Sequence, residues 1–260
     1  MKYIVKILNA LVITVGALTL LYAFTRICLC DRFIVRGESM LPSFEDGRPV
    51  YVNKLIFGGR IYKDFDFADG SMSSFRLPGL RDIRVGDVVM MNYPYAQCND
   101  SINFRLNYVY MKRCYGVPGD TVRIQNGCYI HPDTRKYLEP NVYMSRLSAT
   151  SDLELSENGV VVDAFQVNKG MGWSIRDFGP LYVPQKGDIL EITSENFKTY
   201  RKMIHYETGE WPSPEGRYEF KSNWYFFGGD NVLNSRDSRY FGLVPEDYII
   251  GVVCKRRISD

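Results

Sequence analysis

A serine hydroxyl becomes a useful nucleophile when a neighbouring base removes its proton. Ser39 lies in GESMLPSFEDG, residues 37 to 47, just past a short apolar run and just before Met40 and Pro42, where the chain must turn. A serine in that position is ordinarily a turn or capping residue. Its chemical alternative is a nucleophile projected from a strand end, with its own backbone N–H available to an oxyanion. Lys112 lies in YVYMKRCYGVPGDTV, residues 108 to 122. Strand alternation there puts Tyr110, Lys112 and Cys114 on one face and Met111 and Arg113 on the other. A lysine among Tyr, Met and Cys loses hydration, which favours the neutral amine, and a neutral amine can deprotonate a serine. The plainer reading is an exposed lysine on the wet face of a half-buried sheet. A third segment, GGDNVLNSRDSRYFGLVPEDYIIGVV at residues 228 to 253, reads as a loop with Asx turns and an Asp237–Arg239 ion pair. It also offers Ser235, a hydroxyl that could position the lysine amine.

The elements that must hold these residues are mostly strands. Of 260 residues, 45% are apolar and 14% aromatic, enough to bury a core and to exclude general disorder. Strand-like runs stand at Phe33 to Val35, Val50 to Val52, Val88 to Tyr93, Tyr108 to Tyr115 and Thr121 to Ile130, the last around an Asn126-Gly127 turn. Residues 58 to 78 are rich in Gly, Asp and Ser without sustained periodicity, which predicts a surface excursion. From 126 to 222 the character changes. A polar patch covers residues 145 to 158, a strand is expected at Asp188 to Ile192, and a helix from Ser194 presents Phe197, Tyr200 and Ile204 on one face. Strands return at Trp224 to Phe227 and Tyr248 to Cys254. The expected architecture is therefore mainly β: a catalytic core over 31–125 and 223–260, interrupted by an inserted, variable, β-rich domain over 126–222. VGDVVMM at Val85 and KGDILEI at Lys186 resemble a repeat, but a Gly-Asp turn opening a strand explains both.

Residues 1–30 are of another kind. From Ile7 to Thr25 run 19 residues without a charge, between Lys6 and Arg26. At about 1.5 Å per helical residue they span roughly 28 Å, close to the ~30 Å hydrocarbon core of a bilayer. An uncleaved anchor is expected over a signal peptide, because the stretch exceeds the usual apolar region and no A-x-A site follows it. Lys2 and Lys6 face Arg26, Arg32 and Arg36, so positive-inside counting does not orient it. Thirty-two basic against thirty acidic residues leave a net charge of +2, too little for a nucleic-acid partner. No HExxH, CxxC or GxxxxGK[ST] occurs, and His131 and His205 are the two histidines. Cys98, Cys114, Cys128 and Cys254 allow three pairings, or none as buried thiols, and Cys28 and Cys30 sit at the membrane end.

In order and wording, these segments resemble the boxes of type I signal peptidases, membrane-anchored serine proteases that remove signal peptides from exported proteins. GESMLPSF is similar to the nucleophile box, GDVVMMNYP (residues 86 to 94) to the next, YMKRCYGVPGD to the lysine box, and GDNVLNSRDSRYFGLVP to the last. The four boxes cover 45 residues behind the N-terminal anchor. The resemblance implies Ser39 as nucleophile, Lys112 as general base and Ser235 as the hydroxyl that hydrogen-bonds Lys112. Asp237 and Arg239 would be a structural ion pair beside them. It places Phe33, Val35, Gly37, Met40 and Met111 along the substrate, in small apolar pockets suited to Ala-X-Ala. Some members take a second oxyanion donor from a serine where this chain has Gly37. Cys114 and Tyr115 replace small aliphatic residues, and Val232 replaces a common arginine. The resemblance further implies preproteins bearing signal peptides as partners, no metal or organic cofactor, and a single pass through the cytoplasmic membrane with the catalytic domain on its outer face. Two rivals remain at this level: a self-cleaving Ser-Lys protease similar to SOS-response repressors, and a membrane-anchored β-rich binding or scaffold module without catalysis.

Overall fold

A computed structural model of the chain describes residues 2–67, 70–95, 101–130, 138–164 and 172–254. Helix α1 (Lys2–Phe24) continues through a π-helical turn at Thr25–Leu29 straight into β1 (Cys30–Ile34). Then follow β2 (Pro49–Asn53), β3 (Arg60–Tyr62), β4 (Ser74–Arg76), β5 (Val88–Asn92) and β6 (Val109–Gly116). The next stretch holds β7 (Thr121–Gln125), β8 (Cys128–Ile130), α2 (Val142–Ala149), α3 (Asp152–Glu157), β9 (Phe178–Tyr182), β10 (Ile189–Ile192), α4 (Phe197–Thr208) and β11 (Gly216–Glu219). The chain closes with β12 (Trp224–Gly228), α5 (Ser238–Phe241), β13 (Val244–Pro245) and β14 (Ile249–Cys254). The segment Lys2–Leu29 is long and apolar enough to cross a membrane, and no residue of α1 is buried against the rest of the protein.

The core is a seven-stranded sheet in the order β1-β2-β14-β5-β6-β12-β13, antiparallel throughout. The two-residue alternation of its strands sorts side chains to two faces. Val88, Met90, Met111, Val50, Val52 and Val253 gather on one face with Val35 and Met40. Val89, Met91, Cys114, Phe227 and Val252 gather on the other with Phe104 and Tyr248. The mainly β core with an N-terminal apolar helix is the architecture expected from the strand pattern.

Three places differ from the sequence expectation. Residues 58 to 78 are not a bare excursion, since β3 and β4 form an antiparallel hairpin in them. Its arginines tie it down: Arg60 donates to the Asp247 carbonyl at 2.6 Å and to Asn92 Oδ1 at 2.8 Å, and Arg76 donates to the Glu246 and Ile249 carbonyls at 3.0 and 2.7 Å. The polar patch after residue 140 forms two short helices, each started by a side-chain cap. Asn141 Oδ1 accepts from the Tyr143 and Met144 N–H groups, and Ser151 accepts from that of Glu154. Finally, β7 is the middle strand of a sheet ordered β8-β7-β9, so the boundary drawn after residue 125 falls in the turn between two paired strands of one sheet. The insert and β12 share one hydrophobic cluster, in which Met144, Leu147, Phe178, Tyr200 and Met203 meet Trp224 and Phe226.

The apparent repeat is turn chemistry. The carboxylates of Asp87 and Asp188 accept from the N–H groups of Arg84 and Gln185, three residues earlier, at 2.9 and 2.7 Å. Asp120 does the same for Val117 at 2.8 Å, in a third Gly-Asp pair. Cys28, Cys30, Cys114, Cys128 and Cys254 are free thiols, while Cys98 and His131 lie outside the described residues. His205 stacks on Trp211 with ring centroids 4.0 Å apart.

Candidate active site

The loop between β1 and β2 carries Ser39. Backbone bonds from Val35 N to the Arg48 carbonyl (2.9 Å) and from Gly47 N to the Val35 carbonyl (3.0 Å) close its neck. Within it the Gly37 N–H donates to Asp46 Oδ1 at 2.7 Å. That N–H is therefore engaged and does not serve as a second oxyanion donor. The 229–239 segment clasps the loop from outside: Asn231 N donates to the Ser39 carbonyl at 3.1 Å, and Asn231 Nδ2 to the Glu38 carbonyl at 3.3 Å. Among the described residues the Ser39 N–H has no acceptor, which leaves it open to an incoming oxygen.

Strand β6 carries Lys112 on the face that alternation assigns to it, opposite Val89 of β5 and with its Nζ 5.3 Å from the centroid of the Tyr110 ring. Lys112 is 3% exposed, and Nζ lies 2.6 Å from Ser39 Oγ. Burial lowers its pKa from the ordinary lysine value to about 8, with Asp237 and Asp230 pulling upward and Arg239 downward. At neutral pH about one such amine in ten carries no proton. A buried, partly neutral amine in contact with a serine hydroxyl is a base in position.

Ser235 departs from its expected bond. It is 8% exposed, and Oγ has no hydrogen-bond partner, so Lys112 bonds Ser39 and not Ser235. Ser235 packs on Gly229, where a Cβ would lie 2.2 Å from Ser235 Oγ and 2.6 Å from the Ser39 carbonyl oxygen. Gly229 is thus the spacer that lets Ser235 and Ser39 approach.

Asp237 and Arg239 are both fully buried and joined by two bonds of 2.8 Å. Burial alone would raise the Asp237 pKa, but the Arg239 charge and bonds, with the Gly229 N–H at 2.9 Å, bring it below the usual carboxylate value. Sequence reasoning missed a second pair. Arg113 holds the buried Asp230 at 2.7 and 2.6 Å and also reaches Ser43 of the Ser39 loop at 3.3 Å. Its signal was the alternation itself, which turns Arg113 away from Lys112. Phe33, Val35, Met40 and Met111 come together in one apolar cluster with Phe44 and Val109, and Gly37, also expected along the substrate, is exposed outside it. The binding-module reading needs Ser39 and Lys112 exposed and far apart; they are in contact, and Lys112 is buried.

A hydroxyl paired with a buried lysine, on an antiparallel β core behind an apolar helix, defines a serine peptidase of the membrane-anchored kind. A family model described as signal peptidase, peptidase S26, matches residues 5–256, and the chain belongs to that family. Its relatives include a signal peptidase I of Buchnera aphidicola (26% identical, 88% of this chain and 69% of the relative), one of Pseudomonas fluorescens (27%, 86% and 63%) and signal peptidase I T of Bacillus subtilis (26%, 89% and 76%). The chain thus spans just under two thirds of the length of the Pseudomonas fluorescens protein. The crystal structure of a signal peptidase I from Enterococcus faecalis matches 66% of this chain and 97% of its own at 18% identity and a TM-score of 0.34.

Proposed function

We propose that this protein is a signal-peptide-removing serine endopeptidase in which Ser39 is the nucleophile and Lys112 the general base. The observation that carries the reading is the 2.6 Å contact between a half-buried serine hydroxyl and a lysine amine that is 3% exposed. Neutral Lys112 takes the Ser39 proton, and Oγ attacks the carbonyl before the cut. The Ser39 N–H stabilises the oxyanion, and Lys112 returns the proton to the leaving amine. Water deprotonated by the same amine then hydrolyses the ester and releases the signal peptide. In this account the Asp237–Arg239 pair keeps the 229–239 segment in place. The apolar cluster of Phe33, Val35, Met40 and Met111 accepts small side chains before the cut, which supports Ala-X-Ala substrates. Helix α1 crosses the cytoplasmic membrane once, with the sheet on its outer face, where preproteins emerge.

The test is cleavage of a preprotein ending its signal in Ala-X-Ala, with the cut position read by mass spectrometry. Ser39→Ala and Lys112→Ala should each lose about 10³-fold or more in kcat/KM, with circular dichroism unchanged. Cleavage retained by either variant contradicts the assignment.

A further inference from the structure

Gly228 is the last residue of β12, opposite Arg113 of β6, the neighbour of Lys112, and beyond it the chain leaves the sheet. Two residues later it reaches the nucleophile, where the Asn231 N–H donates to the Ser39 carbonyl at 3.1 Å. The carbonyl of that same peptide unit belongs to Asp230, and it accepts from Asn141 Nδ2 of the insert at 2.7 Å. The C=O and N–H of a trans peptide lie in one rigid plane and point in opposite directions. The 230–231 plane is therefore held by Asn141 at one edge and holds Ser39 at the other.

Asn141 is itself fixed. Its Oδ1 accepts from the Tyr143 and Met144 N–H groups at 2.9 and 3.1 Å, which sets the orientation of the amide and aims Nδ2 at Asp230. Helix α2, which it caps, is anchored through the buried Met144 and Leu147. A second contact of the insert backs the same stretch of chain. Tyr129 of β8, 1% exposed, stacks on Tyr115 of β6 with ring centroids 3.7 Å apart. A Cβ at Gly228 would lie 2.5 Å from Tyr129 Oη and 2.9 Å from the Tyr115 ring, so the two rings press on the backbone where it leaves the sheet.

We propose that Asn141 is a positioning residue of the catalytic centre: from the insert it fixes the 230–231 peptide plane and, through it, the Ser39 backbone against Lys112. The proposal rests on the peptidase reading above and gives the insert a part in it. A plane held at one edge only can rotate about the bonds that flank it, and the 2.6 Å contact of Ser39 Oγ with Lys112 Nζ then loosens. The apolar cluster of Phe33, Val35, Met40 and Met111 does not include Asn141, so substrate binding should be spared.

The experiment measures cleavage of one Ala-X-Ala peptide by full-length protein in detergent, comparing the parent with Asn141→Asp, Asn141→Ser and Asn141→Ala. Asp and Ser cap a helix about as well as Asn, but an ionised Asp has no donor and Ser is too short to reach the Asp230 carbonyl. In all three variants kcat, referred to folded protein by circular dichroism, should fall about tenfold with KM within about twofold of the parent. Asn141→Ala also loses the cap and should melt roughly 3 °C below Asn141→Ser, yet share its kcat. Parental kcat in the Asp and Ser variants, or a kcat that falls in step with melting temperature across the three, overturns the proposal and leaves the peptidase reading intact. Failure of the parent to cleave the peptide overturns both.

Discussion

Lys112 destabilises the fold it serves. Its folded pKa, about 8, lies below the ordinary value of 10.5 that it regains on unfolding. The unfolded state therefore binds more protons between those values, and stability rises with pH across that window. Below about pH 8 the whole penalty of burying the amine is present; above about 10.5 it is gone. Lys112→Met, which keeps the length and removes the charge, should raise the melting temperature at pH 7 by roughly 5 °C, with the gap closing towards pH 10.5. Scanning calorimetry at the two pH values checks this, and equal melting temperatures at pH 7 would mean that the amine is already neutral or well hydrated. A residue kept at the expense of stability, with its Nζ on a serine hydroxyl, is what the proposed general base requires.

The 229–239 segment is the element that assembles the centre. Gly229→Ala would put a methyl group 2.2 Å from Ser235 Oγ and 2.6 Å from the Ser39 carbonyl oxygen, so those groups must part. A fall of about 100-fold in kcat with most of the stability retained is expected, since small misplacements at a reacting centre carry that penalty. Asp237→Asn removes the charge facing the fully buried Arg239 and should lower the unfolding free energy by about 3–5 kcal/mol, measured by urea denaturation. The same scale shows what a sequence discloses. The face of Lys112 was legible because β alternation has period two and Tyr110, Lys112 and Cys114 follow it. The β3–β4 hairpin was not legible, because its positions are fixed by Arg60 and Arg76 bonding carbonyls of residues 246–249, about 170 to 190 positions away. Helices α2 and α3 were hidden by polar composition, although the Asn141 and Ser151 caps mark their starts. Ser235 was found by its place in a motif, but its close packing against Gly229 and its unpartnered Oγ are tertiary facts that no pattern reports.

At the scale of the molecule, α1 passes into β1 with no linker, so the strand leading to Ser39 starts where the apolar helix ends. Holding enzyme and substrate in one bilayer raises their effective concentration. Removing residues 2–29 should therefore lower cleavage of a bilayer-inserted preprotein by 10²-fold or more while changing cleavage of a short soluble peptide far less; equal losses on both substrates would place α1 in the fold and not in substrate delivery. The core sheet and the anchor were readable from strand runs and an uncharged span. The union of the insert with β12 through Trp224 and Phe226 was not, since contacts between distant segments leave no local period. The central claim, that a neutral Lys112 activates Ser39, is tested most directly by the pH dependence of kcat/KM for full-length protein on a preprotein. The account predicts a tenfold rise per pH unit up to an apparent pKa near 8 and a plateau above it, with Lys112→Ala inactive throughout. A rate independent of pH between 6 and 9, or substantial cleavage by Lys112→Ala, would contradict it.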